Sequence, residues 1–386
     1  MFGNSAKKSK NNSKEGLLVQ AASQNSDQQN KNENQKRDFS LSKSISELFG
    51  HKKRNQGNSF FLDKKTRTRI TQMVSGRVLF DEPLSKYSTL RIGGPADCMV
   101  FVQTIEDLKA VLQFADAEKV PVFILGGGSN LLIRDGGIRG FTLCLREGFQ
   151  EVQPISEPIV ADDTLAPEQK DQARYFRVQS GASTPRLVRA MANQGLGGLE
   201  GLSGVLGTVG GAVMGNAGTR HGEIAEAIVS MTAINRHGTV KTFKRQDLKF
   251  SYRNLDMDKS WIMVEAEIRL LQKTKEEIME KVKSILDYRH KTQPLNLPNC
   301  GSVFKNPPKT KSSESAGELI ERSGLKGVRL RGAQVSELHG NWIVNLGDAT
   351  AHDVIELITL IKDKVNEKTG IELETEIKMI GDRVKA

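Results

Sequence analysis

The chain has 386 residues, enough for two or three domains of about 100–200 residues each, and a formal net charge of +10. Residues 1–70 contain 15 Lys and Arg against 6 Asp and Glu, so the remainder is close to neutral and does not favour a nucleic-acid-binding face. No apolar run approaches the roughly 20 residues of a membrane span, and the start lacks the apolar core of a secretory signal. Three widely separated cysteines (Cys98, Cys144 and Cys300) argue against a disulfide framework and against a CxxC metal site. Together these features predict a cytoplasmic protein.

The first segment, residues 1–70, is rich in Asn, Gln, Ser and Lys and contains few apolar residues. Such a segment cannot bury enough apolar area to offset its ordering entropy, so we predict a disordered, basic, polar tail. Its basic clusters at 52–54 and 64–67 either contact anionic lipid or RNA or only keep the tail solvated. Apolar residues at near-helical spacing over 41–49 are compatible with a short docking helix. We expect order to begin near Val74, and the sequence does not identify a partner for the tail.

A first subdomain is predicted over residues 75–148. A strand at 96–102 is followed by a helix whose capping box is Thr104 and Asp107. An apolar strand at 120–125 runs directly into a glycine-rich loop, and another strand follows at 141–145. This order of strand, helix, strand, loop and strand predicts an α/β unit.

A second subdomain is predicted over residues 149–275. It opens with an acidic, proline-bearing insertion at 149–173, which we expect to be a loop. A strand at 175–180 leads into a helix capped by Ser183, with Pro185 in its first turn. A glycine-dense region and a β-rich unit complete the subdomain. The predicted segments are the glycine-dense region at 195–218, a hairpin of strands 229–235 and 239–243, and strands at 250–253 and 261–270.

The residue pattern changes near Thr274, and residues 276–386 are predicted to form a third unit, an α+β domain. A charged amphipathic helix starts at Thr274 and ends before Gln293 and Pro294. The later elements are a helix at 315–323, a strand at 342–345, a helix at 351–368 and a strand at 373–380.

Residues 299–307, with the sequence Asn-Cys-Gly-Ser-Val-Phe-Lys-Asn-Pro, concentrate chemistry in a short stretch. They combine a hydroxyl (Ser302), a cation (Lys305), an amide (Asn306) and a flexible glycine (Gly301) around two apolar anchors. The same residue types also occur in ordinary surface turns. Composition alone leaves both interpretations open.

Two glycine-rich segments, 126–132 and 195–218, suggest a dinucleotide whose pyrophosphate is approached closely by backbone amides. The chain contains no Gly-x-x-x-x-Gly-Lys-Ser/Thr motif, and 126–130 lacks the Gly-x-Gly-x-x-Gly spacing of a Rossmann loop. Tight packing at turns explains one such cluster as well as a ligand does, but it does not explain two.

Seven motifs in order resemble the UDP-N-acetylenolpyruvoylglucosamine reductase family, over about residues 80–381. These are the segments 126–132 (GGGSNLL), 198–213 (GLEGLSGVLGTVGGAV), 252–253 (YR), 289–294 (RHKTQP), 301–307 (GSVFKNP), 332–336 (GAQVS) and 373–381 (LETEIKMIG). Members of that family use FAD and NADPH in bacterial peptidoglycan precursor synthesis. The short link from Pro307 to the next helix resembles the shorter (type II) subtype, which lacks an added substrate-covering loop.

The resemblance implies an α+β protein with a vanillyl-alcohol-oxidase (PCMH-type) FAD-binding fold of two α/β subdomains and a C-terminal α+β substrate domain. It also implies residue roles. For FAD they are Gly126, Gly127, Gly128, Ser129, Asn130, Leu131, Gly204, Gly207, Thr208, Gly210, Gly211, Ala212, Asn216 and Gly218. For catalysis they are Ser302 as proton donor, Arg253 at the substrate carboxylate and Glu376 beside the enolic intermediate. Lys305, Asn306, Gln334 and Asn341 are the expected contacts to the UDP-sugar, and no metal is expected.

Three points remain open at this stage. Glu372 and Glu374 share the period-two face of Glu376, so alternation does not choose among them, and only position before Ile380 and Gly381 selects Glu376. Thr219, Arg220 and His221 depart from the family's pattern of a small residue, Tyr and Gly, which leaves any flavin or substrate contact there in doubt. The alternatives are an FAD oxidase or dehydrogenase with another substrate, and a non-catalytic flavin or nucleotide-sugar binding module.

Overall fold

The fold is seen in a computed structural model that describes residues 62–162 and 165–384, all within one compact unit. The predictions for residues 1–61, including the helix at 41–49, lie outside the described residues. The α-helices are α1 (Lys64–Met73), α2 (Ile105–Ala117), α3 (Thr184–Asn193), α4 (Val209–Met214), α5 (Lys275–Thr292), α6 (Ala316–Arg322) and α7 (Ala351–Thr369). The strands are β1 (Val78–Pro83), β2 (Pro95–Phe101), β3 (Val122–Leu125), β4 (Leu131–Ile133), β5 (Ile138–Cys144), β6 (Val152–Ile155), β7 (Ala173–Gln179), β8 (Leu196–Gly197), β9 (Gly218–Thr219), β10 (Gly222–Glu223), β11 (Ile228–Asn235), β12 (Val240–Lys244), β13 (Lys249–Ser251), β14 (Asn254–Asp256), β15 (Trp261–Gln272), β16 (Asn299–Ser302), β17 (Arg329–Leu330), β18 (Ala333–Val335), β19 (Trp342–Asn345) and β20 (Lys378–Ile380).

The first subdomain is a four-stranded sheet in the order β1-β2-β5-β3. Strands β2, β5 and β3 are parallel, and β1 closes one edge in the antiparallel direction. Helix α2 packs Leu108 and Leu112 onto this sheet, and Thr104 caps its first turn as predicted. The parallel strand β3 ends at Leu125, so the glycine loop that follows lies at the carboxyl edge of the sheet.

Helix α1 corrects the predicted limit of the tail. Residues 64–70 were expected to be disordered, but they are helical, with Asp63 accepting a hydrogen bond from the Thr66 amide as the N-cap. Ile70 is fully buried in the core of the first subdomain together with Leu62. The sequence did not reveal this because the helix is mostly polar and charged, and Ile70 is its one buried residue.

Removing the Ile70 side chain should therefore destabilise the protein. We expect Ile70→Ala to lower the free energy of unfolding by about 2–5 kcal/mol, because it leaves a cavity in a packed core. Thermal denaturation of the full chain measures this, with Gln72→Ala, an exposed change on the same helix, as the control. An equal, small effect of both variants would mean that α1 contributes little to the core.

The second subdomain is an antiparallel sheet in the order β12-β11-β15-β7-β6, with the short β8 also paired to β15. One face packs on α3 and α4. The opposite face contributes Ile234 and Val264 to the core of the first subdomain, so the two subdomains share apolar contacts. The predicted hairpin of strands 229–235 and 239–243 is confirmed.

The insertion 149–173 is not the simple loop that was predicted. It contains the edge strand β6, paired with β7, and a 3₁₀-helix at Pro167–Gln172. Ile159 and Asp162 lie between β6 and the 3₁₀-helix, and two carboxylates attach them to the sheet. Asp162 binds Arg269 of β15 at 2.9 Å, and Glu267 of the same strand accepts a hydrogen bond from the Ile159 amide.

The C-terminal domain is a four-stranded sheet, β16-β19-β18-β17, covered by α6 and α7. Its core also includes Leu90, Ile92 and Leu132 from the first subdomain, and β20 pairs in parallel with β4. The predicted strand 373–380 is shorter than expected, because only β20 is a continuous strand and Thr375 forms an isolated bridge with Phe304.

Helix α5 begins at the predicted domain boundary at 275. Helix α5 packs against α3 and β8 of the second subdomain, with Ile278 and Ile285 as its buried residues. Thr274, where the helix was predicted to start, is its N-cap. An amphipathic helix does not reveal from its own sequence which domain receives its apolar face.

Candidate active site

The two glycine-rich loops contact each other across the boundary between the subdomains. A Cβ atom on Gly127 would lie 2.3 Å from the Cα of Gly207, so Gly127 has no space for a side chain. The Ser129 hydroxyl donates to the Leu206 carbonyl at 2.9 Å, which ties the tip of one loop to the other. Backbone atoms of both loops are therefore brought into one cradle.

The rest of the predicted cofactor set surrounds this contact. Gly128 has φ +63° and is pressed against the Tyr87 carbonyl, which a Cβ would approach to 2.0 Å. Thr208 caps α4 by accepting a hydrogen bond from the Gly211 amide. The first glycine segment contains Gly126 and Asn130 and ends in β4, which begins at Leu131. The second contains Gly204, Gly210 and Ala212 and ends at Gly218, the first residue of β9.

Asn216 has a special place after α4. It is buried with φ +40°, and its amide nitrogen donates to the Glu223 carboxylate and to the Ser251 carbonyl. Because Ser251 lies two residues before Arg253, Asn216 links the second glycine segment to the loop that carries Arg253. Its amide oxygen is buried without a hydrogen-bond partner.

Other buried polar atoms around the cradle also lack partners. Within the described residues, thirteen buried side-chain nitrogen or oxygen atoms make no hydrogen bond, and six of them border the two glycine segments. They belong to Ser88, Ser180, Thr184, Ser203, Asn216 and Arg289. Buried polar groups in native proteins are normally satisfied, so this concentration indicates a polar ligand in the cradle, as FAD would be.

Arg289 was not among the predicted site residues, although its motif contributed to the resemblance. It extends from α5 so that a Cβ on Gly204 would lie 2.7 Å from its Nε, which is buried. Burial lowers the pKa of its guanidinium, and no carboxylate forms an ion pair with it among residues 62–162 and 165–384. A desolvated cation of this kind fits an anionic ligand group.

Ser302 ends β16, opposite Trp342 of β19. The preceding residue, Gly301, has φ +77°, and no atom lies within 4 Å of the position its Cβ would take. The glycine therefore bends the strand and leaves open space next to Ser302. The Ser302 side chain is partly exposed and can reach a ligand there.

Glu376 and Arg253 meet beside this strand although they come from different domains. The Glu376 amide donates to the Val303 carbonyl at 2.8 Å, which fixes Glu376 next to Ser302 in the fold. Arg253 has φ +58°, an unusual backbone for a residue with a side chain, and its Nε lies 2.9 Å from Glu376 Oε1. The two side chains are only 21% and 14% exposed, so this is a shielded ion pair.

Burial distinguishes the three glutamates that the sequence left open. Glu372 is exposed, and Glu374 is 74% exposed and pairs with Lys305. Glu376 alone of the three is shielded. Burial raises the pKa of its carboxyl, and attraction to Arg253 acts in the opposite direction. The neighbouring Cys300 is buried, and burial raises the pKa of its thiol to about 12, which fits a packed thiol without redox chemistry.

The four residues predicted to contact the UDP-sugar differ in their exposure and in their hydrogen-bond partners. Lys305 lies near the surface, with its amine 2.7 Å from Glu374. The Asn306 amide oxygen accepts from the Ala316 amide at the start of α6, and Gln334 donates to the Gly327 carbonyl. Asn341 is 4% exposed, and both ends of its side chain bind the Phe304 backbone.

Comparison with known proteins agrees with this geometry. The FAD binding domain model matches residues 96–244, and the C-terminal domain model of UDP-N-acetylenolpyruvoylglucosamine reductase matches residues 293–380. The reductase of Syntrophus aciditrophicus is 39% identical over 318 residues, covering 82% of this chain and 96% of that protein. The chain belongs to the UDP-N-acetylenolpyruvoylglucosamine reductase family.

Two other reductases of this family are also similar to this chain over most of its length. The Bacillus subtilis protein is 37% identical, covering 82% of this chain and 99% of its own length. The crystal structure of the reductase from Thermus caldophilus superposes with a TM-score of 0.61 at 34% identity, covering 79% of this chain and 98% of that one. The predicted family and the predicted α+β fold with an FAD-binding unit and a C-terminal domain are therefore confirmed, and the chain is an FAD-dependent oxidoreductase of this family.

The departure from the family pattern at residues 219–221 has a local explanation in the reductase fold. Thr219 and Gly222 pair in the short hairpin β9–β10, and the Thr219 hydroxyl donates to the Gly201 carbonyl. The Arg220 guanidinium lies over the exposed Tyr288 ring at 4.2 Å.

Within the described residues, no helix is long and apolar enough to span a membrane, and no cluster of three potential metal ligands occurs.

Proposed function

We propose that the protein reduces the enolpyruvyl ether of UDP-N-acetylglucosamine to UDP-N-acetylmuramate in the cytoplasm, with NADPH as the reductant. The observation that carries this proposal is the convergence of Ser302, Glu376 and Arg253 beside open space, next to a cradle suited to FAD. The C-terminal domain, residues 293–384, would hold the UDP-sugar, and the two subdomains before it would hold the cofactor.

Bound FAD would take hydride from NADPH and supply it to the terminal alkene carbon of the substrate. The chain's residues would complete the addition. A proton must reach the carbon that carries the carboxylate, and the Ser302 hydroxyl beside Gly301 is suited to deliver it. The product is then saturated at both carbons, with one hydride and one proton added.

Arg253 and Glu376 would act on the charge that develops during this addition. Negative charge accumulates on the substrate carboxylate, for which the planar guanidinium of Arg253 is a two-pronged donor. Glu376 holds Arg253 in this direction through the 2.9 Å contact and would lie beside the enolic intermediate. Lys305 is suited to the diphosphate once it exchanges Glu374 for that anion.

The glycines of α4 provide a test of cofactor placement. Gly211 is an exposed residue inside a helix, and an added Cβ would meet only Thr208 Oγ1 at 3.6 Å. Gly211→Ala should therefore leave the fold intact, with up to about 1 kcal/mol gained in helix propensity. If the flavin approaches this backbone closely, the same methyl group should weaken FAD binding at least about tenfold.

The measurement is the Kd for FAD by flavin fluorescence on protein stripped of cofactor, with melting temperature recorded in parallel. Gln194→Ala, an exposed change at the end of α3, is the control. Unchanged FAD affinity in Gly211→Ala would show that the cofactor does not contact this part of α4.

The proposed activity itself is tested with pure protein, NADPH and UDP-N-acetylenolpyruvoylglucosamine. We expect NADPH to be consumed only when the enolpyruvyl substrate is present, with one product molecule formed per NADPH. Substrate-independent consumption of NADPH with oxygen as the acceptor would instead indicate an oxidase, and absence of both reactions in the FAD-loaded protein would contradict the proposal.

A further inference from the structure

We infer that Asn341 and His339 are positioning residues that hold the Ser302 strand in its reactive conformation, a role that rests on the proposed function. The polar atoms of the Asn341 side chain and the Nδ1 atom of His339 are engaged in hydrogen bonds within the protein, so they are not available to the substrate. Both lie in the turn between β18 and β19, which packs against the strand that carries Ser302.

Asn341 clamps the chain just after Ser302 by three hydrogen bonds. Its side-chain oxygen accepts from the Phe304 amide at 2.9 Å, and its side-chain nitrogen donates to the Phe304 carbonyl at 2.8 Å. Its own carbonyl accepts from the Val303 amide at 2.9 Å. Both polar groups of one peptide residue are therefore held by one buried side chain, and no other side chain makes such a pair of bonds to the strand in the described part of the chain.

The opposite side of the same strand is bound by the segment that carries Glu376. The Lys305 amide donates to the Glu374 carbonyl, and the Val303 carbonyl accepts from the Glu376 amide, both at 2.8 Å. Residues 303–305 thus lie between Asn341 on one side and Glu376 on the other. A displacement at Phe304 would change the position of Ser302 relative to Glu376.

His339 in turn holds Asn341. Its Nδ1 accepts from the Asn341 amide at 3.1 Å, so this nitrogen must carry a lone pair and the ring must be neutral. The ring is enclosed by Gly317 of α6, where a Cβ would approach the ring carbon Cε1 to 3.0 Å, and by Trp342. The Asn341 turn is therefore fixed through a nitrogen that protonation would convert from an acceptor into a donor.

The charges that face His339 favour its neutral form. Burial lowers the pKa of the ring, Lys326 acts in the same direction, and Glu321 of α6 opposes it. Lys326 and Glu321 pair with each other at 3.0 Å. Because the folded-state pKa is lowered, the contact is present above the ordinary pKa of histidine and is lost as the pH falls through the folded-state value.

The test separates the two halves of the reaction by anaerobic stopped-flow on FAD-loaded protein: reduction of the flavin by NADPH, and its reoxidation by UDP-N-acetylenolpyruvoylglucosamine. We expect Asn341→Ala and His339→Leu to slow reoxidation about 10- to 100-fold, the scale of a displacement of about 1 Å, and to leave flavin reduction within about twofold of the wild type. His339→Asn should restore most of the rate, since its amide oxygen can replace Nδ1 as the acceptor, and should remove the fall in reoxidation at acidic pH. Glu337→Gln, an exposed change in the same turn, is the control.

Two results would overturn this inference. One is an equal loss of both half-reactions together with FAD content, which is the result of a purely structural role. The other is unimpaired reoxidation in His339→Leu. If Asn341→Ala fails to fold, the His339 pair of variants decides the question. Failure of the proposed function is distinguishable, because the FAD-loaded wild-type protein would then show no reoxidation by UDP-N-acetylenolpyruvoylglucosamine.

Discussion

Replacing Ser302 by alanine should stop the second half of the reaction and spare the first. We expect reoxidation of the reduced flavin by UDP-N-acetylenolpyruvoylglucosamine to fall by about 10²–10⁴-fold, the usual contribution of a positioned acid, because the proton for the carboxylate-bearing carbon has lost its donor. Flavin reduction by NADPH should keep its rate, since Ser302 lies in the C-terminal sheet and the cradle lies between the two subdomains. Anaerobic stopped-flow of each half-reaction measures the two effects separately.

Ser313→Ala is the matched control, because Ser313 is an exposed serine a short distance along the same loop region. Its rates should equal those of the wild type. A Ser302→Ala variant that loses both half-reactions would show that the serine supports the structure of the site, and one that loses neither would remove it from the mechanism.

Replacing Arg253 by methionine should have a comparably large effect on reoxidation and a second effect on stability. We expect about a 10²–10³-fold loss, the scale for removing one preorganised donor to developing negative charge. Arg253→Lys should recover little of it, because an ammonium cannot bind a carboxylate through two parallel hydrogen bonds. The KM for the enolpyruvyl substrate should rise more than that for NADPH.

The pH dependence of stability follows from Glu376. Burial raises its folded-state pKa, so its contribution to stability is present below the pKa of the unfolded chain and is lost as the pH rises through the folded-state value. The Arg253 cation opposes that rise in pKa, so Arg253→Met should increase the loss. The difference in melting temperature between wild type and Arg253→Met should therefore widen as the pH is raised from about 5 to about 8.

The double variant Arg253→Met, Glu376→Gln separates the two effects. It removes the titrating group, so the widening with pH should disappear while reoxidation stays slow. A widening that persists in the double variant would assign the pH dependence to another group and contradict the role given to the ion pair.

Local signals in the sequence were sufficient for much of the fold. Thr104 caps the helix that it was predicted to cap, and Thr274 and Ser315, where two further helices were predicted to start, are the N-caps of those helices. These starts could be predicted because capping depends on residues within one turn. Ser183 also lies at the N-cap of α3, although its side chain makes no capping bond. Alternation and turn residues identified the hairpin β11–β12 for the same local reason.

Long-range contacts decided what local signals could not. Helix α1 has a mostly polar sequence, which did not predict that the helix buries Ile70 in the core. The amphipathic sequence of α5 did not indicate that its apolar face packs on the second subdomain. The insertion 149–173 acquired its strand from pairing with β7. In each case the stabilising partner is distant along the chain, so the sequence of the segment itself does not show what it packs against.

The candidate site shows the same division. The sequence by itself determined the residue types and, by resemblance, the family, since the motifs around Ser302, Arg253 and the two glycine loops are continuous in the chain. Only the tertiary structure decided that Glu376 and not Glu372 or Glu374 is shielded beside Arg253, and that the buried Asn341 side chain binds the Phe304 backbone. The physical reason is that burial and hydrogen-bond partners are set by segments brought together from different domains, whereas a motif records only which side chains are available.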